Sequence, residues 1–160
     1  MKKLLLLLII PTLSYSQITF NDVMSINSLN TFKRVVIENG FEFDNDLEDI
    51  IWYGIDIKKD SVDGNTSSLW GGYYKGNGEF KFQFVVKDLS WLGDDYDTSK
   101  HPYNLITEKI KKNCKFYDII KHNGYDYSCY SCSESTYKGK IGFTKYDGRS
   151  VIRHIIPKKE

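Results

Sequence analysis

The three cysteines are the residues whose type and spacing first suggest chemistry. Cys129 and Cys132 form a CxxC motif, and Cys114 precedes them. A CxxC pair supports redox or zinc chemistry when both sulfurs face one partner, often at a helix start. Here the motif lies in an alternating, strand-like run, where residues three apart point to opposite faces, about 10 Å apart at Cα. That separation exceeds the limit of about 7 Å for a disulfide, so we expect no redox or metal site at this motif.

Cys114 is the better candidate for a structural disulfide. It ends an apolar stripe with Ile106 and Ile110, at the spacing of one helix face. Cys129 shares the more apolar face of its strand, so we predict a Cys114–Cys129 bridge between helix and sheet, with Cys132 as the free thiol. Closing a loop of about 15 residues would stabilise the fold by about 3 kcal/mol on the chain-entropy model. The rival pairing Cys114–Cys132, and three buried reduced thiols, stay open as alternatives.

The histidines and carboxylates show no arrangement typical of a catalytic or metal site. No two of His101, His122 and His154 have metal-ligand spacing, and none belongs to a nucleophile motif. The acidic run at residues 44–48 lacks the turn glycine and the final carboxylate of a calcium loop, so we interpret it as an acidic turn beside a helix. We therefore predict no metal, no cofactor and no catalysis. A small enzyme would need a convergent pair, for example around His154 or Asp126.

Aromatic side chains are abundant, with 12 Tyr and 3 Trp in the chain. On a predicted strand, Trp70 and Tyr74 share one face, and Tyr73 lies on the other. One face must belong to the core, so the other would expose large rings, as protein-binding hot spots and sugar platforms do. The candidates for this binding surface are Trp52, Trp70, Tyr73 and Tyr74, with Trp91 and Tyr96 beside them in the aromatic set.

The first residues have the features of a secretory signal peptide. Two lysines precede an apolar run at residues 4–10, and small residues follow up to Ser16. We expect cleavage of residues 1–16, before Gln17, and an exported chain, periplasmic or extracellular, of residues 17–160. The apolar run is far shorter than the roughly 20 residues that span a bilayer, so we expect no membrane span after cleavage. A buried N-terminal helix is the alternative.

The charge balance argues against several classes of partner. The whole chain carries +1, and without the two signal lysines 20 basic residues face 21 acidic ones, which gives −1. Such a balance provides no long-range field for nucleic acid or for an anionic membrane, so we expect no nucleic-acid partner. The mature chain has the length of one ordinary domain with its own core.

Periodic patterns predict helical regions and a set of strands. A helical region begins at Phe20, Ser28 is a candidate N-cap within it, and Gly40 follows its end. Pro102 fits the first turn of a later helix, with caps at residues 97–99. Alternating or β-rich runs predict strands at residues 50–57, 67–75, 79–86, 125–132, 137–145 and 150–156.

The two halves of the chain align with each other. At an offset of 74 residues the helices match, and at an offset of 70 the last hairpins match, with Gly72 on Gly142. We predict an α+β fold, an antiparallel sheet with helices on one face. Residues 17–160 would form one domain, either undivided or duplicated as two helix-plus-three-strand units at about 20–87 and 97–157.

These patterns predict a small exported module that binds without catalysis, through an aromatic sheet face. A protein partner is favoured, which would make the module an inhibitor or adaptor. A carbohydrate or other envelope component is the alternative, a small secreted enzyme is a third, and a structural subunit cross-linked through Cys132 is a fourth. The layout of tandem helix-and-sheet units resembles that of secreted tandem α/β inhibitor modules of the β-lactamase inhibitor protein kind. The resemblance is one of layout, so no residue roles follow from it.

Overall fold

The structure, a computed structural model, describes residues 18–60, 62, 64–76, 78–87, 99 and 101–156. The predicted signal peptide, Trp91 and Tyr96 lie outside these residues. The described chain forms helices and one antiparallel sheet, which confirms the predicted α+β class. In chain order the elements are α1 (Phe20–Ser25), α2 (Leu29–Glu38), β1 (Glu42–Asp46), β2 (Ile50–Ile55), β3 (Leu69–Tyr74), β4 (Phe80–Lys87), α3 (Pro102–Asn113), β5 (Lys115–His122), β6 (Tyr125–Ser131), β7 (Lys140–Tyr146) and β8 (Arg149–Ile155).

Side-chain caps determine where α1 and α2 begin. The Thr19 hydroxyl accepts a hydrogen bond from the Asp22 backbone N–H, and the Asp22 carboxylate accepts one from the Thr19 N–H at 2.9 Å. Ser28 and Thr31 form the same reciprocal pair at α2. Such pairs satisfy N–H groups that the first helical turn leaves without partners. Ser28 is therefore the predicted N-cap, and Gly40, with a φ of 79°, follows the end of α2 as predicted.

Proline starts α3 without help from a side-chain cap. Pro102 occupies the first helical position, as predicted, because its fixed φ suits a helix start and it has no N–H to satisfy. The N-cap is His101, whose side chain makes no capping bond, so the caps predicted at residues 97–99 are wrong. Within the described ranges, no helix combines the length and apolar character needed to cross a membrane.

All of these strands join one sheet in the order β1-β2-β3-β4-β8-β7-β6-β5. Each half of the chain forms four strands that pair in sequence, and the last strand of each half, β4 and β8, meet at the centre. The sequence patterns predict three strands in each half and miss β1 and β5, which lie at the two edges. Asp44 and Asp46 belong to β1, so the turn predicted at residues 44–48 is wrong for its first three residues. A bend follows the strand at residues 48–49.

The helices pack on the sheet through aromatic side chains. The Phe32 ring of α2 lies 5.4 Å from the ring of Tyr73, 6.0 Å from that of Phe84 and 6.1 Å from that of Tyr53. The Tyr103 ring of α3 meets the Phe143 ring edge to face at 6.2 Å. Full burial of such a side chain contributes about 1.5–3 kcal/mol, so these contacts attach the helices firmly to the strands.

The face of the sheet opposite α2 carries Trp52 and Trp70, and we call it the tryptophan face. Both residues alternate along their strands with side chains that meet α2, and alternation along a strand places them on the other side. A second, smaller hydrophobic cluster lies apart from the main core. Its buried members are Tyr127, Cys129, Val151 and Ile155.

The disulfide joins Cys114 to Cys132, the rival of the pairing that we predict from the sequence. The Cys114–Cys129 bridge is therefore wrong, and Cys129, not Cys132, is the free thiol. Cys114 and Cys132 pack against the main core, whereas Cys129 packs with Tyr127 in the second cluster. The tyrosine face of β6 thus points away from α3, which turns the Cys129 sulfur away from Cys114. A disulfide is compatible with an exported protein.

Candidate binding groove

One row of residues crosses the sheet through all eight strands on the tryptophan face. Residues directly opposite each other in antiparallel strands point to the same side, and here each residue of the row faces the next. From β1 to β5 the row is Asn45, Trp52, Gly72, Gln83, Arg153, Gly142, Cys129 and Asp118. The central pair, Gln83 and Arg153, is therefore polar and has a glycine on each side.

Trp52 and Trp70 lie along the sheet because glycines stand opposite them. Gly72 faces Trp52, and Gly54 faces Trp70. A Cβ atom at Gly72 would come within 2.9 Å of the Trp52 ring, and one at Gly54 within 3.0 Å of the Trp70 ring. Each indole therefore occupies the space that a side chain opposite would need. The two rings meet edge to face, with centroids 6.1 Å apart and planes at 77°.

An open groove of about 650 Å³ lies over these tryptophans, a size typical of ligand sites. Trp52, Trp70, Gln83 and Val85 form its floor. One wall comes from β1 and the segment before β3: Asp44, Asn45, Leu47, Asn65, Thr66 and Ser67. The other comes from the β7–β8 turn and the end of β4: Tyr146, Asp147, Gly148, Arg149 and Lys87. The first wall belongs to the first half of the chain and the second mostly to the second half, so the groove spans the centre of the sheet.

Hydrogen bonds hold the first wall together around Asp44. Asn65 Nδ2 donates to Asp44 Oδ1 at 2.6 Å, and Asn45 Nδ2 donates to Asp44 Oδ2 at 2.8 Å. Nearby, the Ser67 hydroxyl donates to the Ile55 carbonyl at 2.6 Å. Both oxygens of the Asp44 carboxylate are thus engaged inside the wall, which favours a structural role for this acid.

The second wall is built on stacked tyrosines. The rings of Tyr125 and Tyr146 stack with centroids 4.0 Å apart, and the Tyr125 hydroxyl donates to Asp147 Oδ2 at 2.9 Å. This hydrogen bond raises the pKa of Tyr125 above its ordinary value. The carboxylate of Asp147 is therefore also bound to a neighbour, at the tip of the β7–β8 turn.

Arg153 places a positive charge beside the floor. Its Nε donates to Gln83 Oε1 at 2.9 Å, and its Nη2 donates to the same oxygen. The guanidinium lies 4.5 Å from the centroid of the Phe80 ring and 5.3 Å from that of Tyr127, which are cation–π distances. Burial raises the pKa of Tyr127 to about 12, so this ring stays neutral and supplies no counter-charge.

The groove includes some of the predicted site residues and not others. Trp52 and Trp70 are on its floor. Tyr74 does not line the groove and instead packs on Phe80, with ring centroids 5.7 Å apart. Tyr73 lies on the other side of the sheet, buried under α2, with its hydroxyl 2.5 Å from that of Tyr137. We therefore leave Tyr73 out of the candidate surface.

None of the three histidines lines the groove. His154 is fully buried between the rings of Phe82 and Tyr137, at centroid distances of 5.4 and 5.0 Å, and burial lowers its pKa to about 4. His122 lies 3.6 Å from the Glu79 carboxylate. Among the residues that the structure describes, no three His, Cys, Asp or Glu side chains come together as metal ligands would.

Sequence reasoning missed the polar residues of the groove. Gln83 could have been found, because it alternates with Phe82 and Phe84 and so must point away from the core. Arg153 gives a weaker signal, as a cation inside an otherwise apolar strand. No local pattern shows that Gln83 and Arg153 face each other, since that follows only from the pairing of β4 with β8.

The chain matches no protein-family model, no curated protein and no solved structure. The likeness to secreted tandem inhibitor modules therefore rests on predicted layout alone.

Proposed function

We propose that this protein is an exported, non-enzymatic binding module that takes a protruding segment of a protein partner into the groove of the tryptophan face. The observation that carries the proposal is the pair of nearly perpendicular indoles on the floor of an open groove. Large rings in a partly enclosed, apolar depression with a polar rim are the arrangement of protein-binding hot spots.

The orientation of the rings decides between a protein and a glycan as the preferred partner. Successive sugar units stack best on ring faces that run parallel along a groove. Trp52 and Trp70 instead stand at 77° to each other, so they form two sides of a corner. A corner accommodates one inserted side chain, and the exposed, charged Arg149 of the second wall offers a contact to the rest of a partner loop. An envelope glycan remains the alternative occupant.

The proposed location outside the cytoplasm rests on two observations. Residues 1–16 have the composition of a cleavable signal, and the described chain contains a disulfide, which persists in oxidising compartments. The mass of the exported product should correspond to a chain that begins at Gln17. An intact Met1 in the exported product would contradict the signal-peptide prediction.

The layout that we propose places the helices on one side of the sheet and leaves the tryptophan face for the partner. An internal duplication would explain this layout. At the offset of 70 residues that aligns the last hairpins, Gln83 corresponds to Arg153, and these two residues face each other at the centre of the sheet. Gly72 and Gly142, which also correspond, flank this pair symmetrically. Each unit would then consist of helical structure followed by four strands.

Site-specific cross-linking tests the function. The full chain is exported with photo-reactive benzoylphenylalanine at Thr66, on the groove wall, or at Arg34, on the exposed side of α2. We expect one dominant protein adduct from Thr66 and none from Arg34, because only Thr66 borders the groove. The adduct should disappear when excess unlabelled protein is added.

The matched variants are Trp70→Ala and Tyr117→Ala. The first removes a ring from the groove floor, whereas the second removes a half-exposed ring on the edge strand β5. We expect loss of the adduct with Trp70→Ala alone. Equal adducts from both variants would refute the groove as the binding surface, and retention on cell-wall glycan without a protein adduct would favour the carbohydrate alternative.

A further inference from the structure

The Gln83–Arg153 pair has a geometry that fixes how the Gln83 amide is oriented. The two residues are directly opposite each other on β4 and β8, and both are almost fully buried, with 4% and 8% of their surface exposed. Both hydrogen bonds from Arg153 end on Oε1 of Gln83. The oxygen and the nitrogen of an amide are separate atoms on one carbon, so the Gln83 NH₂ group takes no part in the contact with Arg153.

Of the two residues, only Gln83 reaches the groove. Gln83 lines the groove floor, whereas Arg153 lies beyond it, between the rings of Phe80 and Tyr127. The groove floor beside the two indoles therefore offers a hydrogen-bond donor backed by a positive charge. The Arg153 guanidinium acts through Gln83 as a positioning group, because its two bonds prevent the amide from flipping.

The positive charge of Arg153 has no carboxylate partner among the described residues. The ion pairs in this part of the chain join Lys75 to Asp46 and His122 to Glu79. The two carboxylates of the groove walls are held by Asn65 and Asn45 in one case and by Tyr125 in the other. A buried cation without an ionic partner favours any anion that can reach the donor in front of it, and a water-poor site strengthens that attraction.

We propose that the Gln83 amide is the contact point for a carboxylate, and that the partner segment inserts an aspartate or glutamate side chain into the groove, against Trp52 and Trp70. This inference rests on the proposed function, since it names the chemistry of the inserted side chain. The partner carboxylate accepts a hydrogen bond from Gln83 Nε2 and receives the field of Arg153, while its aliphatic stem packs on the indoles. We expect an acid to bind more tightly than its amide, because only the acid carries a negative charge that can balance the positive charge of Arg153.

Small probes test this chemistry directly on the folded full-length protein. N-acetyl-aspartate N-methylamide and N-acetyl-asparagine N-methylamide differ only in the carboxylate, and side-chain ¹H–¹⁵N NMR spectra report on the Gln83 amide and on the indole N–H groups. We expect the aspartate probe to shift the signals of Gln83, Trp52 and Trp70, with an affinity at least tenfold higher than that of the asparagine probe. Equal affinities for the two probes would overturn the inference.

The decisive variant is Gln83→Glu, which keeps the shape of the side chain. A glutamate here would pair with Arg153, so we expect an unchanged or higher unfolding midpoint together with at least a tenfold loss of aspartate binding. If the pair had a purely structural role, Gln83→Glu would leave the unfolding midpoint unchanged or higher and would not weaken aspartate binding. Arg34→Gln, which removes an exposed cation from α2 outside the groove, is the control and should change aspartate binding less than threefold.

The failure of this inference and the failure of the proposed function have different signatures. If the Thr66 adduct is lost with Trp70→Ala but persists with Gln83→Glu, the groove binds a protein and the carboxylate preference is wrong. If Gln83→Glu abolishes aspartate binding but no protein adduct forms at Thr66, the carboxylate site is supported and the protein partner is not.

Discussion

Trp52 lies directly opposite Gly72 on the neighbouring strand, and its indole covers the place where a side chain at Gly72 would stand. Trp70 has the same relationship with Gly54. The two glycines therefore set the height and the direction of both rings. The shape of the groove floor is determined as much by these missing side chains as by the tryptophans.

Gly72→Ala should displace the Trp52 ring. The added methyl group would come within 2.9 Å of the ring and of Ile50, so we expect a loss of about 1–3 kcal/mol in the free energy of unfolding, as for other overpacked sites. Urea unfolding measures the loss, and tryptophan fluorescence should shift. Gly78→Ala is the control, because Gly78 is exposed with open space around it. Similar losses in both variants would contradict the ring-over-glycine packing.

His154 should make the fold sensitive to acid. Burial, reinforced by the charge of Lys81, lowers its folded-state pKa to about 4, below the ordinary value of 6.5. The unfolded chain therefore binds a proton that the folded chain rejects as the pH falls from about 6.5 to about 4, and stability declines over that window. The decline attributable to this residue should reach about 3 kcal/mol, at 1.36 kcal/mol per pKa unit.

Urea unfolding between pH 4 and pH 7.5 measures this effect. His154→Phe and His154→Leu should flatten the curve by about that amount, because neither side chain takes up a proton. His122→Gln removes a histidine outside the core and should retain the steep loss. A curve for both His154 variants that parallels the wild type would show that another group causes the acid sensitivity.

The Cys114–Cys132 bridge should contribute substantially to stability. It closes a loop with a sequence separation of 18 residues, so its removal in Cys114→Ala or Cys132→Ala should cost about 3 kcal/mol of unfolding free energy. Cys129→Ala loses only a small buried thiol and should cost about 1 kcal/mol. If Cys129→Ala proves the most damaging of the three, the pairing is wrong.

Thiol titration gives an independent check of the same pairing. Burial raises the pKa of the Cys129 thiol to about 11, so we expect no reaction with Ellman's reagent in the native state. One thiol should react in denaturant, and three after reduction. A reactive thiol in the native protein would contradict the burial of Cys129.

The edge strand β5 should promote self-association at high concentration. Phe116, Tyr117 and Ile119 are 52%, 49% and 58% exposed on a strand whose outer side pairs with none of the strands that the structure describes. Such apolar edges pair with other chains, and a charge on them prevents it. Ile119→Lys should therefore reduce association in light scattering while changing stability by less than about 0.5 kcal/mol. Val62→Lys is the control, because Val62 is 87% exposed and lies outside the strands, and it should leave association unchanged.

Local features of the fold could be predicted from the sequence, because their signals lie within one element. Ser28 and Gly40 delimit α2 through capping and a left-handed backbone, and both are visible in the residue types. The interior strands β2, β3, β4, β6, β7 and β8 are equally accessible from local patterns. The edge strands β1 and β5 were missed because solvent on both sides removes the alternation that marks a half-buried strand.

The groove depends on pairings between distant segments, which local patterns do not contain. Trp52 and Trp70 were identified as binding candidates, but the glycines opposite them follow only from the β2–β3 register. The disulfide was predicted wrongly for a related reason. The tyrosine face of β6 looks like the core face from its composition, yet it packs in the second cluster on the tryptophan face.

The central position of β8 has a consequence for the order in which the molecule can fold. Strand β4 pairs on one side with β3 and on the other with β8, whose residues 149–155 come long after it in the chain. The first half can form its four-stranded meander early, but one edge of β4 stays open until β8 arrives. If the chain is exported as we propose, this open edge lasts until nearly all of the chain has crossed the membrane, and the sheet closes as one of the final events of maturation.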